Sequence, residues 1–212
     1  MNRTEMRSLF RSLIDDNGSN NIFTDSRINE FLYEGAQEVQ DLLESLDEKL
    51  FLQVDVISIP ADQVIIALPE NTRQVIELRR TDSEPSVVFK TLDLRQLSTH
   101  ERDYGEDNSN NPSYAVRNME IVYPSPVGVN HTVELTTTQH VQNLEDDDSS
   151  WSEIPPQARR LVVYEAAYIG LVSEDSDGRQ MMGLLERMRL RVIQNLDGRV
   201  NTGQSSVNYI PE

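Results

Sequence analysis

The side chains best suited to catalysis or metal binding are few and scattered in this sequence. Its three histidines, His100, His131 and His140, are not at helical ligand spacing from one another, and none lies beside a carboxylate in a known metal-binding motif. The chain has no cysteine, no glycine-rich phosphate loop and no nucleophile elbow. We therefore interpret the histidines as ordinary surface residues and predict no catalytic residue, no metal site and no cofactor.

Two acidic segments resemble cation sites in composition. The segment Asp175-Ser-Asp-Gly178 places carboxylates at alternate positions before a glycine, like the start of a calcium loop. With Gly178 as the sixth residue of such a loop, the twelfth is Leu184, which cannot supply the bidentate carboxylate. We predict a helix-start turn there. The run Asp146–Asp148 could hold an ion loosely, but such charge blocks are usually hydrated, so we interpret Glu145–Ser150 as a solvated linker.

The charge of the chain bears on its partners. A formal net charge of −17 argues against a surface that grips nucleic acid, because binding a phosphate backbone requires clustered cations. An acidic surface can still face DNA without holding it, or simply keep the protein soluble. Only two of the nineteen basic residues, Lys49 and Lys90, are lysines. The planar guanidinium of arginine suits pairing with carboxylates between proteins, although nucleotide composition can produce the same excess of arginine over lysine.

No apolar run in the sequence approaches the roughly 20 residues that span a membrane.

The stretch from Trp151 to Gly198 predicts a helical hairpin. Its first helix opens at Pro155-Pro156, and its second follows Asp177 and closes at Gly198. Residues with helical spacing form the apolar faces, namely Leu161, Tyr164, Tyr168, Leu171 and Val172 in the first helix and Met181, Leu184, Leu185, Met188, Val192 and Leu196 in the second. The opposite face of the second helix carries Arg179, Arg187 and Arg191, which we predict to form part of an interface.

Two helices near the start of the chain carry matching apolar stripes. The first runs from about Thr4, its predicted cap, to Ile14. The second is capped by Thr24 and extends over about 22 residues, or roughly 33 Å. We expect these two helices and the hairpin to pack as a four-helix bundle, with everything between them inserted.

The middle of the chain has β character. We predict about six strands in a small antiparallel sheet or sandwich, with a tight hairpin that turns at Arg117-Asn118. The expected strands are Phe51–Ile59, Val64–Leu68, Val75–Arg79, Val87–Phe89, the two arms of the hairpin within Tyr114–Ile121, and Val133–Thr137. A helical turn at Leu92–Leu97 and a polar loop at Ser98–Pro112 complete this region.

The predicted fold class is therefore α+β, a helical bundle with an inserted β domain and an extended tail. Residues 1–49 supply the first two helices, 50–142 the inserted domain, 143–198 the acidic linker and the hairpin, and 199–212 the tail. The tail ends in a short apolar patch formed by Val207, Tyr209 and Ile210. This patch either docks on a partner by adding a strand or is a frayed terminus.

Several segments follow one another in an order typical of a known family. They are Phe23-Thr-Asp25 opening a helix that contains Ile28–Gln37, the sequence VIIALP at Val64–Pro69, Asn111-Pro-Ser-Tyr114, Met119–Pro126, and Ile154-Pro-Pro156 before a helix rich in tyrosine and alanine. In this order they resemble the head–tail adaptor proteins of tailed bacteriophages, also called connector or head-completion proteins. The resemblance covers about residues 4–196. Gly35-Ala36 and the long acidic loop before Pro112 depart from the family pattern.

The resemblance implies a structural virion protein and not an enzyme. Members form a ring, usually of twelve copies, beneath the portal protein at the capsid vertex, and the ring extends the DNA channel toward the tail. The implied partners are the portal, other copies of the chain, and tail or neck proteins such as a nozzle, a stopper or the tail tube. The implied location is the neck of the virion, after assembly in the host cytoplasm.

Two further expectations rest on this reading. DNA would pass through the ring without sequence-specific binding, since a negative lumen repels phosphates within about 8 Å at physiological salt. The tail after Gly198 would become ordered on the portal. The alternatives are another neck component, such as a stopper or tail-completion protein, or a metal-dependent hydrolase.

Overall fold

The chain forms two compact units that differ in secondary structure. The computed structural model describes residues 1–16, 22–82, 85–96, 113–174 and 178–200. One unit combines Met1–Leu50 with Val141–Glu212, and the other is Phe51–His140. The described residues form helices in the first unit and strands in the second, so the predicted α+β class is confirmed.

The helices of the first unit begin and end close to the predicted residues. They are α1 (Arg3–Leu13), α2 (Asp25–Leu46), α3 (Arg159–Ser173) and α4 (Arg179–Val200), with a 3-10 turn at Glu48–Phe51 after α2. The prediction for α2 is confirmed, because this helix has 22 residues and the Thr24 hydroxyl accepts a hydrogen bond from the backbone N–H of Arg27.

The other helix ends correct the sequence-based boundaries. α1 is capped by Asn2 and not by Thr4, since Asn2 and Glu5 form a reciprocal capping box. Pro155 lies before α3 in a turn, where its carbonyl accepts hydrogen bonds from the N–H groups of Ala158 and Arg159. α4 continues two residues beyond Gly198, because a glycine inside a helix costs only about 1 kcal/mol and does not have to end it.

α3 is buried around more than half of its circumference. It contacts α1, α2 and α4. Its buried residues are Leu161, Val162, Val163, Glu165, Ala166, Ala167 and Gly170. The predicted stripe is correct for Leu161 but wrong for Val172, which is 49% exposed. The stripe assumed a helix with one solvent face, whereas three neighbouring helices cover this one.

The backbones of α2 and α3 approach closely at Gly35. A Cβ atom on this residue would lie 2.7 Å from the carbonyl oxygen of Val162 and 2.9 Å from the backbone nitrogen of Ala166. Glycine is the residue that permits such an approach. The departure from the family pattern at Gly35 therefore has a packing reason in this chain.

The second unit contains two four-stranded sheets. The described strands are β1 (Leu52–Ile59), β2 (Ile65–Ala67), β3 (Thr72–Arg80), β4 (Val87–Val88), β5 (Lys90–Thr91), β6 (Ser113–Arg117), β7 (Glu120–Val122) and β8 (His131–Gln139). Their order is β1-β8-β3-β4 in one sheet and β2-β7-β6-β5 in the other. Both sheets supply residues to a single core, including Leu78 and Leu135 from the first and Ile66 and Ile121 from the second.

The β unit differs from the prediction in strand number, in one pairing and in one turn, since about six strands were predicted and eight are described. The pairing of β5 with β6 is parallel, so the sheets are not wholly antiparallel. The hairpin of β6 and β7 pairs Arg117 with Glu120, which places the turn at Asn118-Met119 and not at Arg117-Asn118. Asn118 has a φ of 55°, as expected of an asparagine in a tight turn.

Some predicted features lie outside the described residues. They are the whole polar loop at 98–112, the turn at 175–177, and the tail that contains Val207, Tyr209 and Ile210.

Two glycine-to-alanine substitutions test the close packing of α2 on α3. We expect Gly35→Ala to lower the free energy of unfolding by about 1–3 kcal/mol, because the new methyl group meets backbone atoms. Gly183→Ala in α4 is the matched control, since its Cβ would meet nothing within 4 Å. This control should stabilise the protein by about 0.5–1 kcal/mol through helix propensity. Denaturant unfolding followed by circular dichroism measures both, and equal effects would contradict the assignment.

Candidate interface

The three arginines predicted from the sequence lie on the exposed side of α4. Arg179, Arg187 and Arg191 are all exposed. Arg187 and Arg191 are one helical turn apart, and the Nε of Arg187 donates to the carbonyl of Gly183 at 2.9 Å. The guanidinium group of arginine holds its N–H donors in one plane. Arg187 and Arg191 therefore present two cationic groups, one helical turn apart, to carboxylates on a facing surface.

Apolar side chains accompany these arginines. Met182, Leu184 and Leu190 of α4 are exposed, whereas Met181, Leu185 and Val192 are buried. The prediction that Leu184 faces the core is therefore wrong. Methionine and arginine are enriched at protein interfaces, so the outer side of α4 has an interface-like composition. We call Arg179, Arg187, Arg191, Met182, Leu184 and Leu190 the α4 outer face.

An ion pair between α3 and α4 escaped the sequence analysis. Arg189 donates from Nε and Nη2 to the two carboxylate oxygens of Glu165 at 2.6 and 2.8 Å. The Glu165 side chain is buried, while that of Arg189 is partly exposed. One signal was available, since Glu165 is the sole charged residue between Leu161 and Val172. A lone carboxylate in such a segment needs a partner when it is buried.

Burial governs the electrostatics of this pair. Desolvation raises the pKa of the Glu165 carboxyl, and the hydrogen bonds from Arg189 oppose that rise. The same hydrogen bonds raise the pKa of Arg189. The pair therefore ties α4 to α3 through a bidentate contact, and Arg189 belongs to the interior contact and not to the α4 outer face.

One carboxylate of the acidic run Asp146–Asp148, that of Asp147, binds arginines of α1. Asp147 accepts hydrogen bonds from Nε and Nη2 of Arg3 at 3.2 and 3.0 Å, and it pairs with Arg7 at 2.6 Å. The backbone N–H groups of Arg3 and Thr4 donate to the carbonyls of Ser149 and Asp147. The carboxylates of Glu145–Asp148 are exposed, as the interpretation of a solvated linker expects, but the segment is also bonded to the start of α1.

Two more carboxylates, those of Asp16 and Asp25, pair with arginines of α1. Arg11 pairs with the buried Asp16 at 2.8 Å and with Asp25 at 2.7 Å, and Arg7 also lies 3.4 Å from Asp25. Hydrogen bonds from Arg7 and Arg3 hold the pKa of Asp147 below its ordinary value. These acidic groups therefore neutralise cations of their own chain.

His131 is buried, which corrects its interpretation as a surface residue. Its ring lies 6.3 Å from that of Phe89 and 6.0 Å from that of Tyr123 between centroids. Its Nδ1 lies 3.0 Å from the carbonyl oxygen of Val129. Burial raises the pKa of the Tyr123 hydroxyl. Alternation along β8 turns His131 to the same face as Val133, so the ring fills the core of the β unit. His140 is exposed, and His100 lies outside the described residues.

Two properties of the described part of the chain concern metal and ligand binding. Within it, no three histidine, aspartate or glutamate side chains are arranged to hold a metal ion. A surface pocket of about 200 Å³ in the β unit is lined by Leu68, Thr72, Arg73, Gln74, Val75, Val116, Asn118 and Met119. Ligand pockets usually have about 300–1,000 Å³. No helix of the described ranges combines the length and apolarity that crossing a membrane requires.

Replacing Arg189 tests the contact between α3 and α4. We expect Arg189→Gln to lower the free energy of unfolding by about 1–3 kcal/mol at neutral pH, because Glu165 loses its buried partner. Arg187→Gln on the α4 outer face is the control and should change it by less than about 0.5 kcal/mol. The loss should shrink in acid, where Glu165 is protonated. Equal losses in the two variants would contradict the pairing.

The pairing of Asp147 predicts a pH dependence. Its pKa in the folded protein is lower than the ordinary 3.8, so its contribution to stability is present above pH 3.8 and is lost as the pH falls through the lowered value. Asp147→Asn should therefore lower the unfolding midpoint at pH 7 and approach the parent protein below pH 3.8. The exposed neighbour Asp148→Asn is the control. A deficit of Asp147→Asn that stayed constant with pH would argue against this role.

Comparison with known proteins identifies the family of this chain. Residues 1–207 match the family model described as SU10 adaptor protein. No curated protein matches the sequence. The family match extends over the helices of the first unit, the β unit between them and part of the tail. The chain therefore belongs to the SU10 adaptor protein family and is a structural bacteriophage adaptor.

Proposed function

We propose that this adaptor forms a ring that joins the capsid portal to the tail and lines the DNA channel. The observation that carries the proposal is the α4 outer face, where Arg187 and Arg191 are exposed beside Met182 and Leu190 in an adaptor protein. An exposed face with both charges and large apolar side chains suits burial against another protein.

The contact between neighbouring copies is heterologous in this proposal. In a ring, each copy presents the α4 outer face to a different surface of the next copy. The chain carries 36 acidic residues against 19 basic ones, so a neighbouring copy has many carboxylates with which these arginines could pair. The family resemblance supports twelve copies in the ring.

The same excess of carboxylates suits a passage for DNA. Asp146 and Asp148 are exposed, and they illustrate side chains that remain free to repel phosphates over about 8 Å at physiological salt. Charge repulsion of this kind lets the duplex slide without sequence-specific binding. A reconstructed ring with arginines facing the channel would contradict this part of the proposal.

The partners follow from the position in the virion. The portal binds one side of the ring, and a nozzle, a stopper or the tail tube binds the other. The protein then resides in the neck between capsid and tail, after assembly in the host cytoplasm. A stopper or tail-completion protein would instead bind a preformed adaptor ring and not the portal.

Electron microscopy of the protein mixed with its purified portal tests the proposal. We expect a ring coaxial with the portal. Arg187→Glu combined with Arg191→Glu should weaken ring formation at least tenfold, because like charges at a contact cost several kcal/mol. Arg95→Glu combined with Arg117→Glu, at two exposed positions of the β unit, changes the net charge equally and is the control.

Two results would contradict the proposal. The first is a protein that ignores the portal but binds a preformed adaptor ring, which identifies another neck component. The second is an equal effect of the two charge reversals, since net charge and not the α4 outer face would then control assembly.

A further inference from the structure

β1 is an edge strand with an exposed apolar row. It pairs with β8 and stands at the end of its sheet in the described part of the chain. Leu52, Val54 and Val56 are 38%, 57% and 68% exposed. Because side chains alternate along a strand, these three lie on the same face. The backbone groups on the side away from β8 are then available for a further strand.

Protection of this edge against pairing is limited, in the described part of the chain, to one charged residue, Asp55. The β1–β8 register continues through eight pairs without a bulge, from Leu52 with Thr138 to Ile59 with His131. The strand contains no proline and no lysine, and Pro60 follows its last residue. Natural proteins usually interrupt or charge such an edge when it stays in solvent. A straight edge with exposed valines is therefore suited to receive another strand.

The chain contains a segment that matches this edge. We propose that residues 205–210 of a second copy add to β1 as a fifth strand of its sheet. Ser205, Val207 and Tyr209 alternate in the sequence, so Val207 and Tyr209 would share a face and lie beside the apolar row of β1. Ile210 would then lie on the other face, where Ile57 is half-buried.

The length and charge of residues 205–210 also suit pairing with β1. Residues 205–210 span about 20 Å when extended, which covers most of an eight-residue strand of about 26 Å. The β1 edge carries Asp55, and Glu134 stands opposite Val56 on β8. Residues 201–211 contain no charged side chain, so the added strand brings no repulsion to this acidic edge.

A second copy is chosen as the donor because of the proposed ring, on which this step of the inference rests. Residues 201–212 follow α4, the helix whose outer face is proposed to meet the neighbouring copy. Each copy offers one donor segment and one β1 edge, and this head-to-tail exchange closes in a ring. The segment would then serve contact between copies and not, as expected from the sequence, contact with the portal.

Disulfide trapping between full-length chains tests the inference, since the protein has no cysteine of its own. One preparation carries Val54→Cys or Val56→Cys, and a second, differently tagged, carries Tyr209→Cys. The exposed Glu153→Cys in the first unit replaces the β1 variant as the control. The preparations are mixed and oxidised, once alone and once with portal. We expect a mixed disulfide dimer at a yield at least tenfold above the control in one or both mixtures.

The other outcomes overturn the inference. A mixed dimer no more abundant than the control in both mixtures removes β1 as the acceptor. A chain that carries both Val56→Cys and Tyr209→Cys and closes only on itself shows that the donor is the same copy. Portal binding of the chain truncated after Val200 is measured separately by electron microscopy. Loss of that binding without mixed disulfides places the segment on the portal, and the proposed adaptor function then stands without this contact.

Discussion

Coverage of α3 is the constraint on which the helical unit depends. A helix buried around more than half of its circumference cannot be shielded by one neighbour, and here α1, α2 and α4 all contact it. Two of these helices precede the β unit in sequence, and the third follows α3. The chain must therefore return to its beginning after the strands, which makes the β unit an insertion. Gly35 shows how tightly this return is packed, since a side chain there would meet the α3 backbone.

Polar side chains form specific contacts where the chain returns from the β unit to the helical unit. The buried Gln40 of α2 accepts a hydrogen bond from the backbone N–H of Val141 at 3.0 Å, at the point where the chain re-enters the unit. Asp147 then bonds to Arg3 and Arg7 of α1, and Arg189 joins α4 to Glu165. Each contact is directional, and a buried partner left alone would be costly. Packing thus brings the helices together, and these pairs select one arrangement among those that bury similar apolar area.

Sequence patterns predicted the elements better than their faces. The length and cap of α2 followed from Thr24 and from a stripe with one solvent side, a condition that this surface helix satisfies. α3 does not have a single solvent side, because three helices contact it. The prediction that Val172 faces the core is wrong, since this residue is exposed. The pairing of Asp147 and the burial of His131 depend on residues distant in sequence, so local composition revealed neither. The exposure of Arg187 and Arg191 was predictable, because helical spacing alone places them on a different side of α4 from the buried Val192.

The distribution of charge bears on how copies of an acidic chain would meet in the proposed ring. At a net charge of −17, two identical surfaces repel unless the contact includes cations or avoids charge. Arg3, Arg7, Arg11 and Arg189 are engaged with carboxylates inside the helical unit and are unavailable for this purpose. Arg187 and Arg191 remain exposed, and β1 exposes valines in place of charges. In the proposed ring, repulsion between the acidic surfaces would favour association at these places over association through other surfaces.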